Sequence, residues 1–173
     1  MVTLHVRQAT LEDTDSILRI YNQGIEDRIA TLETETKDSS YMEAWFHDHQ
    51  GRFCVLVAER EGEFVGWASL NPYSHRCAYK GVADLSVYID RGFRGQGVGS
   101  TLLDALEKAA KEHGFYKIVL FTFPFNQGGQ GLYLKMGYRQ VGVLEKQGVM
   151  DGKFIDVMIM EKLLSAESKS VNF

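Results

Sequence analysis

Apolar residues return every three or four positions through Ile17, Ile20, Tyr21 and Ile25, and every second position through Ala83, Leu85, Val87 and Ile89. The first period is that of a helix with one buried face, and the second that of a strand with one. The same two periods parse the rest of the chain. Leu4 to Gln8 alternates as a short strand. Thr10 then stands where a helix N-cap belongs, with Glu12 and Asp13 in the first turn, and this helix is expected to end near Gly24. Ser40-Tyr41-Met42-Glu43 fits a capping box for a second helix that Gly51 stops, and Glu26 to Ser39 between them has no clear period. Strands at Phe53 to Glu59 and Phe64 to Asn71 are joined by Arg60-Glu61-Gly62-Glu63 as a hairpin, and a loop from Pro72 to Gly81 leads to the strand Val82 to Asp90. A helix begins near Ser100, with Leu102, Leu103, Leu106, Ala109 and Ala110 on its apolar face and Gly114 at its stop. Tyr116 to Phe123 is a strong strand. A short helical stretch around Leu132 to Met136, ended by Gly137, precedes two closing strands, Tyr138 to Val143 and Phe154 to Met160. The order β-α-α-β-β-β-α-β-α-β-β predicts an α/β chain.

Between the strand ending at Asp90 and the helix near Ser100 lies Arg94-Gly95-Gln96-Gly97-Val98-Gly99. Glycines there let the backbone approach an anion, and the first-turn amides of the helix point unpaired hydrogens at it. The expected ligand is a cofactor carrying a pyrophosphate. A dinucleotide fingerprint, G-x-G-x-x-G, fails because Ser100 or Leu102 falls at the third glycine; a P-loop fails because no Lys follows at the right distance. What remains is R-x-x-G-x-G, formed by Arg94, Gly97 and Gly99, with Arg91 as a second cation nearby. A tight turn at a helix entry is the plainer alternative.

Length and charge bound the rest. At 173 residues the chain can bury a sizeable core, and 45% hydrophobic with 24% charged residues is an ordinary globular balance. The expected organisation is one domain over residues 1–164 and a polar C-terminal tail at 165–173. A formal net charge of -4 argues against a general nucleic-acid binder, which needs a basic surface, so the expected partner is a small molecule. The N-terminus lacks a signal-peptide pattern and no apolar stretch is long enough to span a bilayer, which predicts a cytoplasmic location without membrane attachment. Cys54 and Cys77 are too few for a disulfide scaffold, and Cys54 reads as a core thiol. His47, His49 and His113 have no visible metal-binding companion, so no metal is assigned.

The R-x-x-G-x-G loop resembles the signature of the GNAT superfamily of N-acetyltransferases, and the order of elements over residues 3–164 resembles its fold. Further words resemble the phosphinothricin and amino-acid N-acetyltransferase group: Ile20-Tyr21-Asn22, Ala30-Thr31, Ser86-Val87-Tyr88-Ile89-Asp90, Asn126, Met136-Gly137-Tyr138 and Met150-Asp151-Gly152-Lys153. The resemblance implies a mixed, twisted sheet of about seven strands flanked by helices on both faces, acetyl-CoA as donor, and a homodimer.

It also implies site residues. Asp84 lies where the group carries a glutamate acting as general base; being one methylene shorter, an aspartate favours a water relay over direct abstraction. An aspartate on the wet face of a half-buried strand is the alternative. Val87, Tyr88 and Ile89 are expected to offer main-chain groups to the pantetheine arm, by analogy with strand addition. Gly95, Gln96, Gly97, Val98, Gly99 and Ser100, with Arg94, are expected around the diphosphate. Asn126 is expected to hydrogen-bond the cofactor, the alternative being an Asx turn, and Tyr133 is the candidate general acid towards the leaving thiol. The run Gln127-Gly128-Gly129-Gln130-Gly131 departs from the family's usual helix start. For the acceptor amine, Arg28, Thr31, Tyr73, Arg76 and Tyr79 are the candidates, the arginines because a guanidinium matches a carboxylate. The implied activity is acetyl transfer to the primary amine of a small amino-acid-like molecule, such as phosphinothricin or methionine sulfoximine. A CoA-binding sensor with weakened chemistry and a protein or peptide N-acetyltransferase are the alternatives.

Overall fold

The computed structural model describes residues 3–164; the C-terminal tail expected at 165–173 lies outside the described residues. Eleven elements follow the expected order: β1 (Leu4–Gln8), α1 (Thr14–Asp27), α2 (Ser39–Asp48), β2 (Val55–Arg60), β3 (Glu63–Pro72), β4 (Val82–Ile89), α3 (Val98–Glu112), β5 (Lys117–Thr122), α4 (Gln127–Lys135), β6 (Arg139–Met150) and β7 (Lys153–Leu163). The strands form one seven-stranded sheet in the order β1-β2-β3-β4-β5-β7-β6. All neighbours are antiparallel except β4 and β5, which are parallel and therefore need the crossover that α3 provides. This is the mixed sheet that the GNAT resemblance implies.

Alternation along β4 divides the molecule into two layers. Leu85, Val87 and Ile89 face α3, whose Leu102, Leu103, Leu106 and Ala110 are fully buried against the sheet. On the opposite face Trp67 and Tyr88 pack with Ile17 and Ile20 of α1 and Met42 of α2. Each helix thus buries one apolar stripe, which supplies most of its stability in a protein.

Several boundaries differ from the expected ones. A short 3-10 turn at Leu11–Asp13 precedes α1, the Thr10 N–H donates to Asp13 Oδ2 at 2.7 Å, and α1 runs past Gly24 to Asp27. The cap of α2 is Asp38, whose side chain accepts from the Tyr41 N–H at 2.9 Å; the Ser40 box is not used because the helix already starts at Ser39. The α3 helix starts at Val98, and α4 starts at Gln127 despite its glycines. There Asn126 Oδ1 accepts from the Gly129 N–H at 3.0 Å, and Gln130 Nε2 donates to the carbonyls of Phe123 and Pro124. Side-chain capping replaces what the glycines withhold in propensity. Strand β6 continues to Met150, through a register shift between Leu144 and Gly148.

Candidate active site

The parallel ladder between β4 and β5 holds only three residue pairs, Val82 with Lys117, Ala83 with Ile118 and Asp84 with Val119. Beyond Asp84 the two strands diverge, although β4 stays paired with β3 as far as Ile89 opposite Gly66. One edge of β4 from Leu85 to Ile89 therefore has no strand partner. A cleft of about 600 Å³ occupies the gap, walled by Asp84 to Ile89, the loop from Phe93 to Ser100, the end of β5, and α4 with Tyr133.

At the mouth of this cleft the Arg94 to Ser100 segment turns into α3. Gly95 and Gly97 have φ of 76° and 85°, and a side chain built on either would point into open space, so the turn is concave and free on its cleft side. The amides of the first turn of α3 have no partner within the helix, and the helix dipole adds to their pull on an anion. Gly99 adds a packing task to its first-turn amide: a Cβ there would lie 2.7 Å from Leu132 Cδ2 of α4. The arginines are ion-paired. Arg94 Nη1 and Arg91 Nη2 each lie 2.8 Å from the Asp27 carboxylate of α1, so they brace the loop, and Arg94 lines the cleft as well. Gln96 accepts at Oε1 from Arg60 Nη1 at 2.6 Å and does not line the cleft.

Asp84 stands where the ladder ends. Burial pushes its carboxyl up to about 6, opposed by hydrogen bonds from Asn71 and from the backbone of Leu85. Tyr133 faces the same cleft, and burial first, then the Asp84 charge, push its phenol up to about 12. The pair thus holds a carboxylate able to accept a proton near neutrality and a hydroxyl that keeps its own. Asn126 also lines the cleft; its Oδ1 caps α4 by accepting from the Gly129 N–H, and its Nδ2 donates to Thr122 Oγ1 at 3.5 Å.

A second cavity, of about 310 Å³, lies on the α1 and α2 side and shares Ser86 and Tyr88 with the cleft. Its walls are mainly aromatic, from Tyr21, Tyr41, Trp45 and Trp67, and Thr31 belongs to them. The buried Trp67 indole N–H has no hydrogen-bond partner among the described residues. Of the expected acceptor residues, only Thr31 reaches a cavity wall. Arg28 instead caps α1, with Nε donating to Asp151 Oδ2 at 2.8 Å and Nη1 to the Ile25 carbonyl at 2.6 Å. Tyr73 and Tyr79 pack against each other at 6.1 Å in the exposed loop that also carries Arg76, and none of the three lines either cavity. Asn71 and His49, which the sequence reading passed over, line the second cavity and connect to Asp84. The visible signal was Ser69 and Asn71, two polar residues in the part of β3 that is otherwise apolar from Phe64 onward.

Residues 17–138 match the model of the acetyltransferase (GNAT) family. The chain belongs to that family. YwnH of Bacillus subtilis, provisionally named a phosphinothricin acetyltransferase, is 34% identical over 161 residues, covering 92% of this chain and 99% of the relative. The L-methionine sulfoximine/L-methionine sulfone acetyltransferase of Pseudomonas aeruginosa is 28% identical over 158 residues, covering 90% and 92%. Among solved structures, the ribosomal-protein-alanine N-acetyltransferase of Brucella melitensis superposes with a TM-score of 0.88 at 31% identity, covering 92% of this chain and 99% of that one. The yncA protein of Salmonella typhimurium, solved with its cofactor acetyl-CoA, superposes with a TM-score of 0.90 at 25% identity and 96% coverage of both. The GNAT protein described here is accordingly an N-acetyltransferase with acetyl-CoA as its donor. Among the described residues no group of three or more His, Cys, Asp or Glu is placed to hold a metal ion, and no helix is long and apolar enough to cross a membrane.

Proposed function

We propose that this GNAT enzyme acetylates the primary amine of a small amino-acid-like molecule, of the kind represented by phosphinothricin or methionine sulfoximine. The observation that carries the reading is the end of the β4–β5 ladder at Asp84, which opens a strand edge, an anion cradle and a raised carboxyl to one cleft. Bound there, acetyl-CoA supplies a thioester whose carbonyl carbon is the electrophile. The α3 N-terminus, with Gly95, Gly97, Val98, Gly99 and Ser100, holds the diphosphate. The open edge of β4 at Val87, Tyr88 and Ile89 pairs with the pantetheine amides and donates a main-chain N–H to the carbonyl oxygen, where charge develops in the transition state. Asp84 takes the proton from the acceptor ammonium, through a bound water where the short side chain does not reach. As the C–N bond forms and the C–S bond breaks, Tyr133 donates a hydrogen bond to the departing thiolate, which takes up the second proton of the amine nitrogen. With its phenol raised to about 12, above an ordinary thiol near 8.5, it stabilises the thiolate rather than handing over its proton.

The second cavity takes the acceptor side chain. Its aromatic walls suit the acceptor's apolar part, and Thr31, Asn71 and Ser86 supply polar groups for its oxygens. The exposed loop arginine Arg76 is free to meet the acceptor carboxylate only by moving, so the proposal does not depend on it. The apolar surface left open on β6 and β7 supports a homodimer, and the free thiols of Cys54 and Cys77 fit a cytoplasmic location. The Brucella likeness favours a second reading, acetylation of protein N-termini. One screen separates the two: CoA thiol release from a panel of amino acids, sulfone and phosphinate analogues, and Ala-initiated peptides. Turnover confined to the small amines supports the proposal; turnover confined to peptides replaces it, and none with either group leaves the sensor reading.

A further inference from the structure

Three cross-strand pairs of β3 and β4 lie in register on the face covered by α1 and α2: Trp67 with Tyr88, Ser69 with Ser86, and Asn71 with Asp84. The last two build a polar ladder. Asn71 Nδ2 donates to Asp84 Oδ2 at 3.2 Å and to Ser86 Oγ at 3.0 Å, while its Oδ1 accepts from Ser69 Oγ at 2.8 Å. The same Oδ1 lies 2.8 Å from His49 Nε2, and His49 Nδ1 lies 2.8 Å from the Trp45 carbonyl. The ring of His49 stacks on Trp45 at 4.0 Å, just past the last residue of α2.

The donors and acceptors fix this chain of bonds once Asp84 is ionised. A carboxylate only accepts, so the Asn71 amide must turn its N–H₂ group to Asp84 and its oxygen to His49. His49 then faces an oxygen at each ring nitrogen, the Asn71 amide oxygen at Nε2 and the Trp45 carbonyl at Nδ1. The converse arrangement, with the Asn71 amide reversed, presents an oxygen to Asp84 and requires that carboxyl to be protonated and useless as a base. The groups that face Asp84 are then Asn71 from β3, the phenols of Tyr88 from β4 and Tyr133 from α4, and, through Asn71, His49 at the end of α2.

We propose that His49 and Asn71 are positioning residues that hold the Asp84 carboxylate oriented for proton abstraction, His49 acting by fixing the Asn71 amide that donates to it. The inference rests on the base role given to Asp84 above. Neither residue touches the thioester or the amine; both line the second cavity, beside the route proposed for the acceptor.

The test is the pH dependence of kcat/KM for an amine acceptor in His49→Ala, His49→Gln, Asn71→Leu and Asp84→Asn, with acetyl-CoA affinity measured by titration as the control for folding. Loss of a hydrogen bond to a carboxylate moves the acidic limb of Asn71→Leu to higher pH by about one unit. His49→Ala moves it in the same direction by less, and His49→Gln, which keeps a side-chain N–H donor, recovers part of the shift; acetyl-CoA affinity stays at the wild-type value in all. Limbs that stay at the wild-type position in both His49→Ala and Asn71→Leu overturn the proposal, as does a uniform fall in kcat with an unmoved limb. If Asn71→Leu does not fold, His49→Ala at the helix end decides alone. Asp84→Asn separates this failure from that of the base assignment. A limb abolished there but unmoved in the others sinks only the positioning role, whereas a limb that survives in Asp84→Asn sinks both.

Discussion

As the proposed base, Asp84 meets two opposed demands: it must be ionised to accept a proton, yet must hold that proton strongly enough to want it. Burial raises the carboxyl to about 6 and the Asn71 amide restrains the rise, which leaves it ionised at neutral pH and more basic than an exposed aspartate. The acidic limb of kcat/KM is therefore expected near pH 6. Asp84→Asn is expected to lower kcat/KM by about a hundredfold or more while acetyl-CoA affinity is unchanged, as a pH series with calorimetric titration checks. The same carboxyl weighs on stability with a definite sign. Its folded-state value lies above the unfolded one, so the ionised form is disfavoured by folding and the destabilisation grows as pH rises from about 4 to about 6. Asp84→Asn should accordingly unfold at a higher temperature than the wild type at pH 7.5, by an amount on the order of 2 kcal/mol, and the difference should vanish near pH 4. Tyr133→Phe removes one hydrogen bond to a thiolate, and is expected to lower kcat by about tenfold without moving the acidic limb.

At the scale of elements, the glycines of the loop before α3 divide the labour. Gly97 gives the left-handed turn and the open concavity, so Gly97→Trp is expected to raise the acetyl-CoA Kd at least tenfold by both straining and filling the cradle. Gly99 lets α3 and α4 approach, a task its place in the motif does not reveal. What the sequence made legible follows the strength of local signals. The stripes of α1 and α3 and the alternation of β4 need only period, and the loop needs only spacing. The early start of α4 was hidden because its helix is held by the Asn126 cap and by Gln130 reaching back to Phe123 and Pro124, against the propensity of three glycines. The Asp38 cap was hidden by a competing box two residues later. Arg94 carries the motif by letter, but its tie to Asp27 is 67 residues away in the chain. His49 and Asn71 stand 22 residues apart and meet only because the end of α2 lies over β3. Arg28, Tyr73, Arg76 and Tyr79 were chosen by residue type near the expected site, a criterion blind to whether a loop folds inward.

Taken whole, the molecule leaves its β6–β7 end open. Strand β6 is exposed along almost all its length, and Val141, Val143, Val149 and Phe154 stay 46%, 46%, 62% and 66% exposed. Apolar surface of that extent calls for a cover, and a second copy of the chain is the proposed one. Light scattering after gel filtration is expected to give twice the chain mass, and the pair Val143→Lys with Phe154→Lys to give the monomer; a wild-type monomer would refute the dimer. The two halves of the proposed acetyl-transfer site, by contrast, meet within one chain at the point where β4 and β5 part. The most direct measurement is a crystal structure with acetyl-CoA bound. The account predicts the diphosphate on the amides of Val98, Gly99 and Ser100, the pantetheine arm along Val87 to Ile89, and the acetyl carbon beside Asp84. A cofactor seated elsewhere, or one that leaves the open edge of β4 unpaired, would contradict it.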